Sequence, residues 1–169
     1  NASILQKKSE NLNIKGVGVF VNKNINELER LIKKLKLRFI QLHGSEDEQY
    51  IKAIKKNDVT VIKSISIKNK NDLIEINKYQ SADYFLFDYK PSKGELPGGN
   101  SKSFDWNLLK NLEINKPWFL SGGVNINNIR QILNDIKPFG IDLSSGVEKE
   151  LGIKDNGIIN NFIEKLNNA

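Results

Sequence analysis

Two short runs carry the clearest chemical signal in this sequence: Ser121-Gly122-Gly123 and Ser144-Ser145-Gly146. Each follows an apolar run and precedes helical sequence. Glycine lets backbone N–H groups approach an anion closely, and a short helix beginning at Val147-Glu148-Lys149 would add a favourable dipole. As a pair they point to a phosphate cradle; singly, each is an ordinary strand-to-helix turn. Asp88 directly follows the apolar run DYFLF. A carboxyl group drawn partly out of water at such a place holds its proton more readily, which suits general-acid work. A helix cap or a loop-tying hydrogen bond is the plainer alternative. His43 is the only histidine and ends another strand-like run. It would either contact substrate or serve structure. Asp142, two residues before the serine pair, would hydrogen-bond a sugar or hold the neighbouring loop. No grouping of His, Asp and Glu has metal-ligand spacing, and neither a P-loop nor a dinucleotide fingerprint occurs. No metal is expected.

The elements that must position these residues alternate regularly. Strand-type runs occur at residues 16–21, 38–42, 59–65, 83–87, 118–120 and 139–143, rich in β-branched and aromatic residues. Helical patterns fall between them at residues 24–35, 46–56, 71–79, 104–110 and 125–133, with a last helix from Asp155 to about Asn167. Asn24 with Glu27 forms a capping-box-like pair, and Asn125 and Asp155 are good caps. A glycine- and proline-rich loop spans residues 90–102. Six β-α units in a row imply a parallel sheet with right-handed crossovers, in one undivided domain over residues 1–169. Four successive strand ends are polar or glycine-rich: His43-Gly44, Asp88, Ser121–Gly123 and Asp142–Gly146. That habit belongs to a closed (β/α) barrel; an open doubly wound sheet binds ligand only at its switch point.

Composition narrows the classes. The 169 residues carry a formal net charge of +6 with a pI near 9.4, but the lysines are dispersed and lack interleaved aromatics. Nucleic acid is therefore not the expected partner. No apolar run approaches the ~20 residues of a membrane span, and the opening residues do not form a signal peptide. The absence of cysteine fits a cytoplasmic protein.

The stretches VGVFVN (17–22), IQLHG (40–44), PGGNSKSFDW (97–106), LSGGVNINNI (120–129) and IDLSSGVEKELGIKD (141–155) resemble, in order and spacing, those of phosphoribosylanthranilate isomerase, an enzyme family of tryptophan biosynthesis. The resemblance runs from about Lys15 to the end. It implies a (β/α)8 TIM barrel, of which six units, strands three to eight, are visible here. It implies a cofactor-free Amadori rearrangement of N-(5-phosphoribosyl)anthranilate to 1-(2-carboxyphenylamino)-1-deoxyribulose 5-phosphate. By match to the family's motifs, Asp88 is the general acid. His43, Gly99, Gly122, Gly123, Asp142, Ser144, Ser145 and Gly146 are expected to contact the phosphorylated substrate.

The chain departs from the family's pattern at Ser101, where glycine is usual, and in having no cysteine. The family's general base is a cysteine on its first strand, and VGVFVN matches its third. Six parallel strands leave edges that expose backbone and apolar surface, so a truncated barrel is expected to dimerise over them. Three other readings stay open: a catalytically inactive truncated barrel that keeps phosphate binding, another phosphosugar barrel enzyme whose catalytic sets are not found here, and a basic nucleic-acid binder.

Overall fold

The computed structural model describes residues 2–90, 103–110 and 112–168. The site position Gly99 and most of the loop 90–102 lie outside the described residues. Six strands form one sheet in sequential order: β1 (Val17–Phe20), β2 (Phe39–Leu42), β3 (Thr60–Ile67), β4 (Tyr84–Tyr89), β5 (Trp118–Leu120) and β6 (Gly140–Ile141). The pairs β1–β2, β2–β3 and β5–β6 are parallel. Sequential order with parallel pairing is what βαβ crossovers produce. Among the described residues five α-helices accompany the strands: α1 (Ala2–Asn11), α2 (Ile25–Leu35), α3 (Glu48–Lys55), α4 (Ile129–Asp135) and α5 (Asn156–Asn167).

The chain falls into two compact units, residues 1–64 with 75–85, and residues 65–74 with 86–169. In the first, the apolar stripe of α2 buries Leu28 and Ile32, and α3 buries Ile51 and Ile54, alongside Ile40, Leu42 and Val61 of the strands. Asn24 caps α2 by accepting from the Asn26 N–H, and Asp47 caps α3 by accepting from Tyr50. Glu27 does not complete a capping box; its carboxylate pairs with Lys23 instead. Val17 and Val19 of β1 and the following Val21 remain exposed. In the second unit, Leu86, Phe87, Leu120, Ile129, Ile132 and Phe162 form the core, and Phe87 stacks obliquely on Trp118 at 5.3 Å between ring centroids.

Several local expectations need correction. Residues 2–11, for which the sequence suggested no element, form α1, a polar stretch that buries no residue. Residues 70–78 and 106–109 wind as 3-10 turns rather than α-helix. Asp72 accepts from the backbone of Lys68 and Asn69 at the start of the first of these, so local side-chain bonds set the turn. The fourth α-helix begins at Ile129 with Asn128 at its cap, not at Asn125. Four near-consecutive polar bonds within Asn125-Ile126-Asn127-Asn128 hold that stretch as a turn: Asn128 accepts from the Asn125 N–H, Asn125 accepts from the Asn127 N–H, and both side-chain amides reach back to Gly123. Val147-Glu148-Lys149 does not open a helix. A single 3-10 turn covers Ser145–Val147, and Glu148–Glu150 (β7) then pairs antiparallel with Ile153–Lys154 (β8). Gly152, at a φ of 78°, makes that tight reversal possible.

Candidate active site

In the second unit the ends of three neighbouring strands deliver the predicted residues. Asp88 is the penultimate residue of β4 and is buried, at 6% exposure. One of its carboxylate oxygens accepts from the following Tyr89 N–H at 2.8 Å. The residue just past β5 is tied to β4 through the backbone: the Ser121 N–H donates to the Phe87 carbonyl at 2.8 Å. Asp142 N–H in turn donates to the Leu120 carbonyl at 2.8 Å. Asp142 therefore lies just past β6 rather than inside it. Its carboxylate accepts from Ser121 Oγ at 2.9 Å, so the serine fixes the orientation of an exposed acid. Both readings of Asp142 offered by the sequence are compatible: it holds the neighbouring turn and still faces solvent.

The two glycine-bearing turns meet. Gly122 and Gly123 adopt φ of 81° and 75°, a left-handed pair that L side chains rarely tolerate in succession. The Gly123 carbonyl accepts from the side-chain amides of Asn125 and Asn128 at 3.0 and 2.9 Å. With the carbonyl held on one side, the rotation of the adjoining peptides is fixed. Gly146 packs against this turn so closely that a Cβ on it would stand 2.0 Å from the Val124 carbonyl oxygen. Gly123, Ser145 and Gly146 share the wall of a pocket of about 420 Å³ that also takes in Ile158 and Asn161 of α5. A shallow concavity walled by glycine backbone in close approach suits an anion such as a phosphate.

One cation near these turns was not foreseen. Lys154, on β8, donates to the Ser144 carbonyl at 2.8 Å and to Ser144 Oγ at 3.1 Å, and pairs with Glu148 at 2.5 Å. The hydrogen bond from Lys154 and the backbone N–H of Gly152 hold the Glu148 carboxyl below the usual carboxylate range. Only the antiparallel hairpin brings Lys154 back to Ser144, and no spacing rule announced that hairpin.

His43 belongs to the first unit, one residue past β2. Its N–H donates to the Phe20 carbonyl at 2.8 Å, and its Nδ1 lies 2.8 Å from Gln41 Nε2. With the Gln41 amide donating, Nδ1 accepts and the neutral ring carries its hydrogen on Nε2. Among the described residues no group of three or more His, Cys, Asp and Glu side chains could hold a metal ion. None of the described helices is long and apolar enough to cross a membrane.

A buried strand-end acid and two glycine turns that meet, carried on sequential β-α units, are the layout of a (β/α)-barrel enzyme. The family model of N-(5'-phosphoribosyl)anthranilate (PRA) isomerase matches residues 1–165. The N-(5'-phosphoribosyl)anthranilate isomerase of Brucella canis is 42% identical over 156 residues, covering 90% of this chain and 70% of the relative. The crystal structure of the Thermotoga maritima phosphoribosyl anthranilate isomerase superposes with a TM-score of 0.85 at 29% identity, covering 100% of this chain and 82% of that one. A phosphoribosyl anthranilate isomerase in complex with reduced 1-(o-carboxyphenylamino)-1-deoxyribulose 5-phosphate superposes with a TM-score of 0.77 at 26% identity, over 100% of this chain and 80% of that one. The chain belongs to the phosphoribosylanthranilate isomerase family, a family of tryptophan-biosynthetic enzymes with the (β/α)-barrel fold. The activity is isomerisation, and the alternative of a barrel that only binds is not favoured.

Proposed function

We propose that this chain carries out the family's Amadori rearrangement with Asp88 as the general acid. Asp88 gives its proton to the furanose ring oxygen as the C1′–O bond breaks, and the anilino nitrogen's lone pair closes the Schiff base. Loss of the C2′ proton to a base then yields the enolamine, which tautomerises to the 1-deoxyribulose product. The sequence contains no cysteine to match the family's base, and none of the residues assigned here takes that part. Backbone groups of Gly122, Gly123, Ser144, Ser145 and Gly146 hold the 5′-phosphate, with Lys154 adding positive charge beside Ser144. Asp142, oriented by Ser121, accepts from the sugar. His43 donates from Nε2 to the substrate, and Gly99 is included on its sequence match alone. The observation that carries the reading is the placement of buried Asp88 one strand from the turn at Ser121–Gly123, through the Ser121–Phe87 backbone bond.

The partner is a phosphorylated small molecule rather than nucleic acid, in keeping with dispersed lysines. A cytoplasmic setting accords with a metabolic enzyme lacking cysteine. A homodimer is proposed as the cover for the exposed valines of the edge strand β1. Light scattering coupled to size exclusion tests it: a dimer mass is expected, and a stable monomer at all concentrations counts against it. The substrate reading is tested by calorimetric titration with reduced 1-(o-carboxyphenylamino)-1-deoxyribulose 5-phosphate and with its dephosphorylated counterpart. Saturable binding of the first and at least tenfold weaker binding of the second is expected. Equal binding of the two would remove the phosphate cradle from the account.

A further inference from the structure

The first unit buries an ion pair that the isomerase chemistry above does not use. Lys63, on β3, is 1% exposed, and Glu46 is 5% exposed. The ammonium has three N–H groups, and all three are engaged. They reach the Leu42 carbonyl at 3.2 Å, the Gly44 carbonyl at 2.6 Å and Glu46 Oε2 at 3.2 Å. Glu46 is satisfied in the same way. Its Oε1 accepts from the Asn22 N–H at 2.7 Å, and its Oε2 also accepts from the Gly44 N–H at 3.0 Å. The pair thus stitches together the chain just past β1, the chain just past β2, and β3.

The two carbonyls that Lys63 holds belong to the residues on either side of His43. The backbone N–H of Gly44 is held as well, by Glu46. Gly44 lies close against the chain past β1: a Cβ there would meet the Asn22 backbone nitrogen at 2.9 Å and its side-chain oxygen at 2.3 Å. A buried ion pair is poor value as a source of stability, since desolvation offsets much of its attraction and apolar replacements are often as stable. An apolar pair would fill the same space but would not grip the peptides flanking the histidine.

We propose that Lys63 and Glu46 are positioning residues for the reaction, a clamp that fixes the peptide on each side of His43 and so aims its imidazole. The consequence for turnover rests on the reading of His43 as a substrate contact. Burial lowers the Lys63 pKa, and the Glu46 carboxylate beside it opposes that shift.

His43 being the only histidine, its ring nitrogens give an unambiguous magnetic-resonance signature in the labelled protein. The variant to compare is Lys63→Met/Glu46→Leu, which leaves no unpaired buried charge. Glu46→Gln, isosteric and uncharged, decides the matter if the double variant does not fold. In the native protein at alkaline pH, the ring shifts are expected to be those of one tautomer, with Nε2 protonated. In the folded variant they are expected to move toward the average of the two tautomers, and KM is expected to rise at least tenfold with a smaller change in kcat. Ring shifts identical to the native ones would overturn the proposal. Averaged shifts with unchanged KM, in this variant and in His43→Asn, would leave the clamp standing and remove His43 from the substrate contacts.

Discussion

Replacing Gly146 with alanine is the sharpest perturbation of the proposed phosphate cradle. The new Cβ would stand 2.0 Å from the Val124 carbonyl oxygen, 3.1 Å from the Val124 carbonyl carbon and 3.2 Å from Asn125 Cα. All three are backbone atoms, so no side-chain rotation relieves the contact. Carbon–oxygen contacts settle at roughly 3.3–3.6 Å, so one turn must retreat from the other by more than about 1 Å. Backbone N–H groups bind an acceptor only within about 2.7–3.2 Å, and a retreat of that size breaks one or two of them away from the phosphate. At about 1.5–3 kcal/mol for a hydrogen bond to a charged group, one or two lost bonds cost about 1.5–6 kcal/mol. That corresponds to at least roughly tenfold, and up to about 20,000-fold, in affinity for a phosphorylated ligand. Calorimetric titration with the reduced deoxyribulose phosphate measures it directly. The dephosphorylated counterpart should bind native protein and variant alike, which separates a local loss from general damage. Binding of the phosphorylated ligand within threefold of the native value, with the fold intact, would refute the cradle at Gly146.

Other outcomes follow from the same geometry. Ser121→Ala removes the hydrogen bond to Asp142 and should cost about 0.5–1.5 kcal/mol in urea unfolding, with a higher KM and a nearly unchanged kcat; a drop in kcat alone would contradict the orienting role. Glu148 titrates below the usual carboxylate value of 4.5 because Lys154, then the Gly152 N–H, favour its charged form. Its folded-state pKa is depressed, so its contribution is present above the ordinary carboxylate range and is lost as pH falls through the lowered value. Glu148→Gln should therefore flatten the acid limb of the stability curve, and superimposable curves would show the tie to be worthless. Lys63→Met alone should lose about 3–5 kcal/mol in urea unfolding, since Glu46 is left buried and unpaired, whereas Lys63→Met/Glu46→Leu should regain most of that loss. Equal losses in the two variants would contradict this account of the pair.

The order of the strands was legible because each one is a short β-branched run between helical stripes, and period and composition survive into the folded chain. The places of Asp88 and of the two glycine turns at strand ends were legible for a related reason: a short apolar run followed by polar or glycine residues marks where a strand stops. The finer geometry was not. The expected helix after Gly146 gave way to a hairpin, because Gly152 reverses the chain and Lys154 anchors the returning strand to Ser144 and Glu148. The start of α4 slipped by four residues because the asparagines of the NINN run satisfy one another and Gly123 before helix formation can begin. The polar helix α1 had no apolar stripe to announce it. Lys63 appeared in the sequence only as the one charged residue of a β-branched strand, and its partner stands 17 residues earlier. No local pattern joins the two.

The central claim is that Asp88 supplies the proton that opens the sugar ring, and one comparison bears on it most directly. Consumption of N-(5-phosphoribosyl)anthranilate is followed for the native protein and for Asp88→Asn, with binding of the reduced product analogue measured on both. An amide keeps the size of the side chain but has no acidic proton to give. General acid catalysis contributes about 10²- to 10⁴-fold, so kcat should fall by at least about a hundredfold while the analogue still binds within a few-fold of the native affinity. Turnover by Asp88→Asn within a few-fold of native would contradict the assignment, and the acid would then have to be sought elsewhere in the chain.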